Sequence, residues 1–192
     1  LFKCGIFKRT QLEHLGYGTV NGLDGKPFKT RDGGVMSLKG LINLIYDETI
    51  KRINPETVSA AEKEKVAKTV AIAALKYADF LPYRGTDYIF EVEKFADLEG
   101  KTGPYLLYST IRMKSLLNKA KNIKQEKATT ITTATEREII LNLLGLPRVL
   151  DKALEAKSLN DIAEYLYKLT SQYNKFYSEN KIITEENEYI RE

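Results

Sequence analysis

The sequence predicts a mainly α chain, with a small α/β segment first and an all-α helical bundle after it. Three observations carry this prediction. Apolar residues recur at three- and four-residue spacing through most of the 192 residues. Runs rich in β-branched and aromatic side chains are confined to two short stretches of the first half. Near residue 100 the texture changes, and helix follows helix from there on. The expected division is therefore 1–100, a mixed unit, and 101–192, a helical one.

The elements follow in order. Tyr17 to Val20 is a short β-favouring piece that runs into "GLDGKPFKTRDGG", Gly22 to Gly34. After it, Leu38, Leu41, Ile42, Ile45 and Thr49 fall at helical spacing, with Ser37 as N-cap. Pro55 pushes the residue before it away from helical angles, so a break is expected at "INPET". "SAAEKEKVAKTVAIAALKYADF" reads as a second helix, rich in Ala and Lys and ended by Pro82. "TDYIFEV" is the second β-type run. Helices are then expected over 104–122, 133–145, 147–156 and 158–180. Thr102 or Gly103 caps the first of these, with Pro104 in its first turn. Ser158 caps the last, with Asp161 where a capping-box carboxylate sits. Leu159, Ile162, Leu166, Leu169, Tyr173 and Phe176 form its expected buried stripe. "NIKQEKATTITTATE" is a polar connector.

Composition excludes several classes. With 43% hydrophobic and 29% charged residues the chain is no disordered segment. A net charge of +4 is too small to imply a polyanion partner without local clustering. Cys4 and His14 are the lone members of their types, which excludes a disulfide framework and a Cys/His zinc site. That fits a reducing, cytoplasmic setting. No apolar run approaches the roughly 20 residues that span a bilayer. The chain opens on "LFKCGIFKRT" and closes on "ITEENEYIRE", so a piece of something longer is expected, with an apolar seam left uncovered.

Two motifs carry chemistry. The glycine loop is not a Walker A loop, because Val20 and Pro27 occupy the places of its first Gly and its Ser/Thr. Its setting, a strand before and a capped helix after, suits phosphate all the same. Backbone N–H groups with Lys26, Lys29 and Arg31 can follow a charge that changes during reaction. A plain surface hairpin is the bland alternative. In "GPYLLYSTIRMKSLLNKA", Tyr105, Tyr108, Arg112, Ser115 and Lys119 share one helical face. The neighbouring stripe Leu106, Thr110, Met113, Leu117 and Ala120 is the better candidate for the core. Two tyrosines, an arginine and a lysine can stack bases and hold phosphates; half-buried amphipathic tyrosines are the alternative. His14 has no catalytic partner in sight, and Asp87, Glu91, Glu93, Asp97 and Glu99 read as solvated.

Taken together, "GKPFKTRDGG", "ALKYADFLPYRGTDYIFEVEKFADLEGKTGPYLLYSTIRMKSLL" and "AEYLYKLTSQYNKFY" resemble arginyl-tRNA synthetase, in order and across nearly the whole chain. The first stretch is similar to that family's form of the class I "KMSKS" loop. The second is similar to the join between its catalytic domain and the helical DALR domain, which binds the anticodon. The resemblance implies a two-step reaction. Arginine and ATP, with magnesium, give arginyl-adenylate, and the arginyl group then moves to the 3′ end of arginine tRNA. It implies a monomer that works without a membrane. It gives the loop-closing role to Lys29 first and Lys26 second, with Arg31 as a supporting cation and Thr30 at the place of the usual second lysine. Gly33 and Gly34 are implied at the nucleotide, and Tyr105, Tyr108, Arg112 and Tyr177 at the tRNA. The sequence departs from the family in having Lys181 where some relatives carry a second aromatic, and in holding no "HIGH" motif. A stand-alone RNA-binding module without catalysis is the alternative, and a helical protein that meets no RNA is another.

Overall fold

A computed structural model describes residues 4–5, 13–27, 36–53, 59–120 and 131–183. In chain order the described elements are β1 (Val20–Asn21), α1 (Leu38–Arg52), α2 (Ala60–Phe80), β2 (Tyr88–Ile89) and α3 (Val92–Phe95). They continue with α4 (Gly103–Lys119), α5 (Ala134–Leu144), α6 (Leu146–Ala156) and α7 (Asn160–Glu179). Among the described residues the fold is mainly α, with one small sheet.

That sheet is two parallel strands, Val20 opposite Tyr88 and Asn21 opposite Ile89. Thr19 N–H donates to the Asp87 carboxylate at 2.7 Å, and Gly18 N–H to the Arg84 carbonyl at 2.8 Å. The approach is too close for any side chain at 18: a Cβ there would overlap the Thr86 carbonyl. Hydrogen bonds from Thr19, chiefly its backbone N–H, hold the Asp87 carboxyl below the usual carboxylate range.

Local signals set the helix starts. Ser37 accepts from Gly40 N–H, and Ser59 and Glu62 form a capping box. Thr102 caps α4 through Tyr105 N–H, and Thr133 and Glu136 box the start of α5. In Glu136 the pull of burial toward a higher pKa is outweighed by hydrogen bonds from Thr133 and Thr132, which hold the carboxyl low. Each cap is worth about 1 kcal/mol.

The core lies where α1, α2 and α3 meet. Leu41 and Ile45 of α1 pack on Ala71, Ala74 and Ala78 of α2, with Phe90, Phe95 and Ala96 closing the cluster. Ile45 is fully buried, worth roughly 1.5–3 kcal/mol against exposure. The alanines of α2 leave room on another side for α4, whose Gly103 meets the Ala73 carbonyl so closely that a Cβ would overlap it. α7 then packs against α5 and α6 and, along α4, back to α2.

Three expectations need correction. The line of α4 that is buried is Gly103, Pro104 and Ser109, whereas Thr110 is exposed and Leu117 is 62% exposed. At Gly103 a small residue is required because α2 and α4 touch there nearly backbone to backbone, while Ser109 is buried where Asn174 of α7 donates to it. In α7 the buried residues are Ala163, Tyr165 and Thr170, and Leu159 and Leu166 stand over 40% exposed at 43% and 42%. Ser158 does not cap α7. Its Oγ is buried and accepts from Arg84 N–H at 3.2 Å, tying the bundle to the loop before β2, while Asp161 pairs with Lys152. On α5 and α6, Leu141, Leu143, Leu144, Leu150 and Leu154 are exposed. Among the described residues, no helix is long and apolar enough to cross a membrane.

Candidate RNA-binding face and the start of the glycine loop

The glycine loop begins as a tight turn off β1. Gly22 N–H donates to the Lys26 carbonyl at 2.8 Å and Gly25 N–H to the Gly22 carbonyl at 2.9 Å. Gly25 takes φ +70°, which a side chain disfavours. Asp24 accepts from Lys26 N–H at 3.1 Å, an Asx-type closure. Lys26 is exposed at the end of this turn. Lys29, Thr30, Arg31, Gly33 and Gly34 lie outside the described residues.

The second region sits on α4 and α7. Helical spacing puts Tyr105, Tyr108 and Arg112 on one side of α4, and Tyr177 reaches the same place from the last turns of α7. The Arg112 guanidinium lies 4.8 Å from the Tyr108 ring centre and 5.0 Å from that of Tyr177, a cation between two aromatic rings. Arg112 Nη2 also donates to the Tyr108 hydroxyl at 2.9 Å. Tyr108 is 48% exposed and Tyr177 38%, so the two rings stand at the surface while Arg112 is half-buried behind them. Lys119 and Ser115 are exposed further along the helix.

Below this pair lies a polar seam that sequence reasoning missed. Asn174 of α7 accepts from Arg112 Nη1 at 3.0 Å and donates from Nδ2 to the Tyr105 hydroxyl at 2.9 Å and to Ser109 Oγ at 2.7 Å. Tyr105 packs on Tyr167 at 5.7 Å, and Lys101 covers the Tyr167 ring at 5.5 Å while bonding Glu164. The signal for Asn174 was present: it stands three residues before Tyr177, on the same helical face. Tyr173 lies 6.0 Å from Tyr177, ring to ring, and burial pushes its phenol up, with Tyr177 adding to that and Arg112 opposing it. The four residues expected at the RNA thus come together, from two helices far apart in sequence. Lys26 stands apart from them, on the β1 side. His14 is exposed.

Comparison with known proteins bears on both regions. Residues 3–92 match the model described as tRNA synthetases class I (R), catalytic domain, and residues 106–192 match the DALR anticodon binding domain. The arginine–tRNA ligase of Agathobacter rectalis is 39% identical over 98% of this chain and 34% of its own length. The chain belongs to the arginyl-tRNA synthetase family. The arginine–tRNA ligase of Hyphomonas neptunium is 41% identical over 91% of the chain and 30% of its own length. The chain therefore spans about a third of the curated relatives it matches. Among solved structures, Thermus thermophilus arginyl-tRNA synthetase superposes with a TM-score of 0.78 at 23% identity, over 93% of this chain and 30% of that one. The Plasmodium falciparum enzyme gives 0.71 at 22% identity, over the same shares of 93% and 30%. At that identity these two speak for the fold.

Proposed function

We propose that the chain is the part of an arginine–tRNA ligase that carries the ATP-closing loop and grips the anticodon stem-loop of arginine tRNA. In this reading residues 1–100 end the catalytic domain and 101–192 form the anticodon-binding unit. The observation that carries it is the Arg112 guanidinium seated between the Tyr108 and Tyr177 rings, at the surface, in the segment that matches the anticodon-binding model. Exposed aromatic rings offer stacking platforms to unpaired bases, and a guanidinium among them offers charge to the phosphates between those bases.

The loop does its work in the first chemical step. The carboxylate of arginine attacks the α-phosphate of ATP, the bond to the β-phosphate breaks, and pyrophosphate leaves with the negative charge. Lys29, Lys26 and Arg31 stabilise that charge, Thr30 stands at the place of the family's usual second lysine, and Gly33 and Gly34 let the backbone come close to the phosphates. In the second step a ribose hydroxyl at the tRNA 3′ end attacks the acyl carbon and releases AMP. Magnesium, which the family resemblance implies together with ATP, would supply further positive charge at the phosphates. The setting we propose is cytoplasmic, with the enzyme acting as a monomer.

The test is RNA binding. Tyr108→Ala combined with Arg112→Ala loses about 1–3 kcal/mol of affinity for an arginine tRNA transcript, the worth of one stacked base. Binding by the parent chain weakens as salt rises, through release of counterions from the phosphates. Filter binding that finds the double variant as tight as the parent overturns this reading.

A further inference from the structure

We infer that Asn174 is a positioning residue that sets the Tyr105 hydroxyl as a hydrogen-bond donor toward RNA, so that this face selects an acceptor-rich stretch of single-stranded loop. The inference rests on the RNA-binding reading above and adds to it the polarity of the site.

The argument starts from donor and acceptor inventories. A guanidinium has only donors. Arg112 Nη1 lies 3.0 Å from the Asn174 side chain, so the atom that meets it is the amide oxygen. The other end of the amide is then fixed. Its two N–H groups go to the Tyr105 hydroxyl at 2.9 Å and to Ser109 Oγ at 2.7 Å, and Ser109 is fully buried. Tyr105 thus accepts from Asn174 and keeps its own proton to give. Tyr108 is in the same state, because Arg112 Nη2 donates to its hydroxyl at 2.9 Å. Two phenolic protons and the remaining Arg112 N–H groups all favour a ligand that accepts. Phosphate oxygens, base carbonyls and purine N7 atoms do so.

The chemistry needs an amide at 174. A carboxylate there has no N–H to give. It would accept from Arg112, Tyr105 and Ser109 alike, draw the Tyr105 proton inward and neutralise the guanidinium. Size and shape are nearly unchanged, so this substitution separates polarity from packing.

The experiment measures binding of an arginine tRNA transcript to the 192-residue chain by fluorescence anisotropy over a salt series. The variants are Asn174→Asp, Tyr105→Phe and the two combined. Tyr105→Phe weakens the parent about two- to tenfold, one hydrogen bond's worth, and leaves Asn174→Asp unchanged. Asn174→Asp alone binds more weakly, and its slope of log affinity against log salt falls by about one phosphate contact. An equal Tyr105→Phe loss in both backgrounds, or an Asn174→Asp chain that binds as the parent does, overturns the inference. If Asn174→Asp unfolds at the assay temperature, Asn174→Ala replaces it. The freed hydroxyl then rotates, so the Tyr105→Phe loss shrinks while the salt slope stays; an undiminished loss overturns the inference here too. Arg112→Ala keeps the two ideas apart. If it leaves RNA binding intact, the RNA reading fails; if it weakens binding while Tyr105→Phe and Asn174→Asp are additive, only the role given to Asn174 fails.

Discussion

Among the described elements, helix α4 packs on α2 and on α7, and it meets them by different chemistry. Toward α2 the contact is dry and close, Gly103 against the Ala73 carbonyl, backing onto the cluster of Leu41, Ile45, Phe90 and the α2 alanines. Toward α7 it is polar, with Asn174 joined to Tyr105, Ser109 and Arg112. The bundle continues in that manner: Asn142 bonds Gln172 at 2.9 Å and Thr135 bonds Glu179 at 2.9 Å between α5 and α7, while leucines of α5 and α6 face outward. The first region draws its stability from excluded water. The second fixes Tyr105, Ser109 and Arg112 through polar contacts with Asn174. A polar seam stabilises less per residue than an apolar one, since each hydrogen bond nets only about 0.5–1.5 kcal/mol, but it dictates orientation.

The largest effect should come from breaking the dry side. Phe90 is 1% exposed and stacks on Phe95 at 4.9 Å. Phe90→Ala removes that ring and leaves a cavity, at a cost of about 3–5 kcal/mol in urea denaturation. A loss under about 1 kcal/mol, the scale of a single polar contact, would erase the contrast between the two regions.

The next effect tests how close α2 and α4 must lie. Gly103→Ala adds one methyl where the Ala73 carbonyl already stands, so the helices must part or bend, at about 1–3 kcal/mol. Glycine is a poor helix former, so the same change at an open helical position would stabilise instead. The sign of the measured change therefore decides between contact and propensity.

These two seams also mark what could be read in the sequence. Ser37, Thr102 and Pro104 sit where their chemistry belongs, so the starts of α1 and α4 were legible. Tyr105, Tyr108, Arg112 and Tyr177 were legible as a set, three by helical spacing and all four through the family resemblance. The buried line of α4 was not. A stripe rule rewards large apolar residues and so points to Leu117, which stays exposed, whereas the contact with α2 requires glycine at 103 and the seam with α7 takes the hydroxyl of Ser109. Ser158 failed for a related reason. Its hydroxyl suits a cap, but a partner 74 residues away in sequence, the Arg84 N–H, claimed it first, and no local pattern records that. Asn174 looked like one more polar residue until α4 was placed beside it.

The smallest effect concerns the join between the regions, where Tyr77 of α2 donates its hydroxyl to the Ala163 carbonyl of α7 at 3.1 Å. Burial, with help from Glu164 and Tyr167, pushes this phenol well above its ordinary value of 10. The phenol is protonated in both folded and unfolded chains below about pH 10, so its contribution is fully present there. Above that the unfolded chain loses the proton first, and stability falls as pH climbs toward the folded value. Tyr88, raised by burial and by Asp79, adds to the same slope from the first region. Tyr77→Phe should cost about 0.5–1.5 kcal/mol at neutral pH and make the alkaline decline shallower, with the remaining slope owed to Tyr88 and Tyr173. Thermal melts from pH 8 to 11 check this. If parent and variant decline in parallel, the Tyr77 phenol is not a source of that slope.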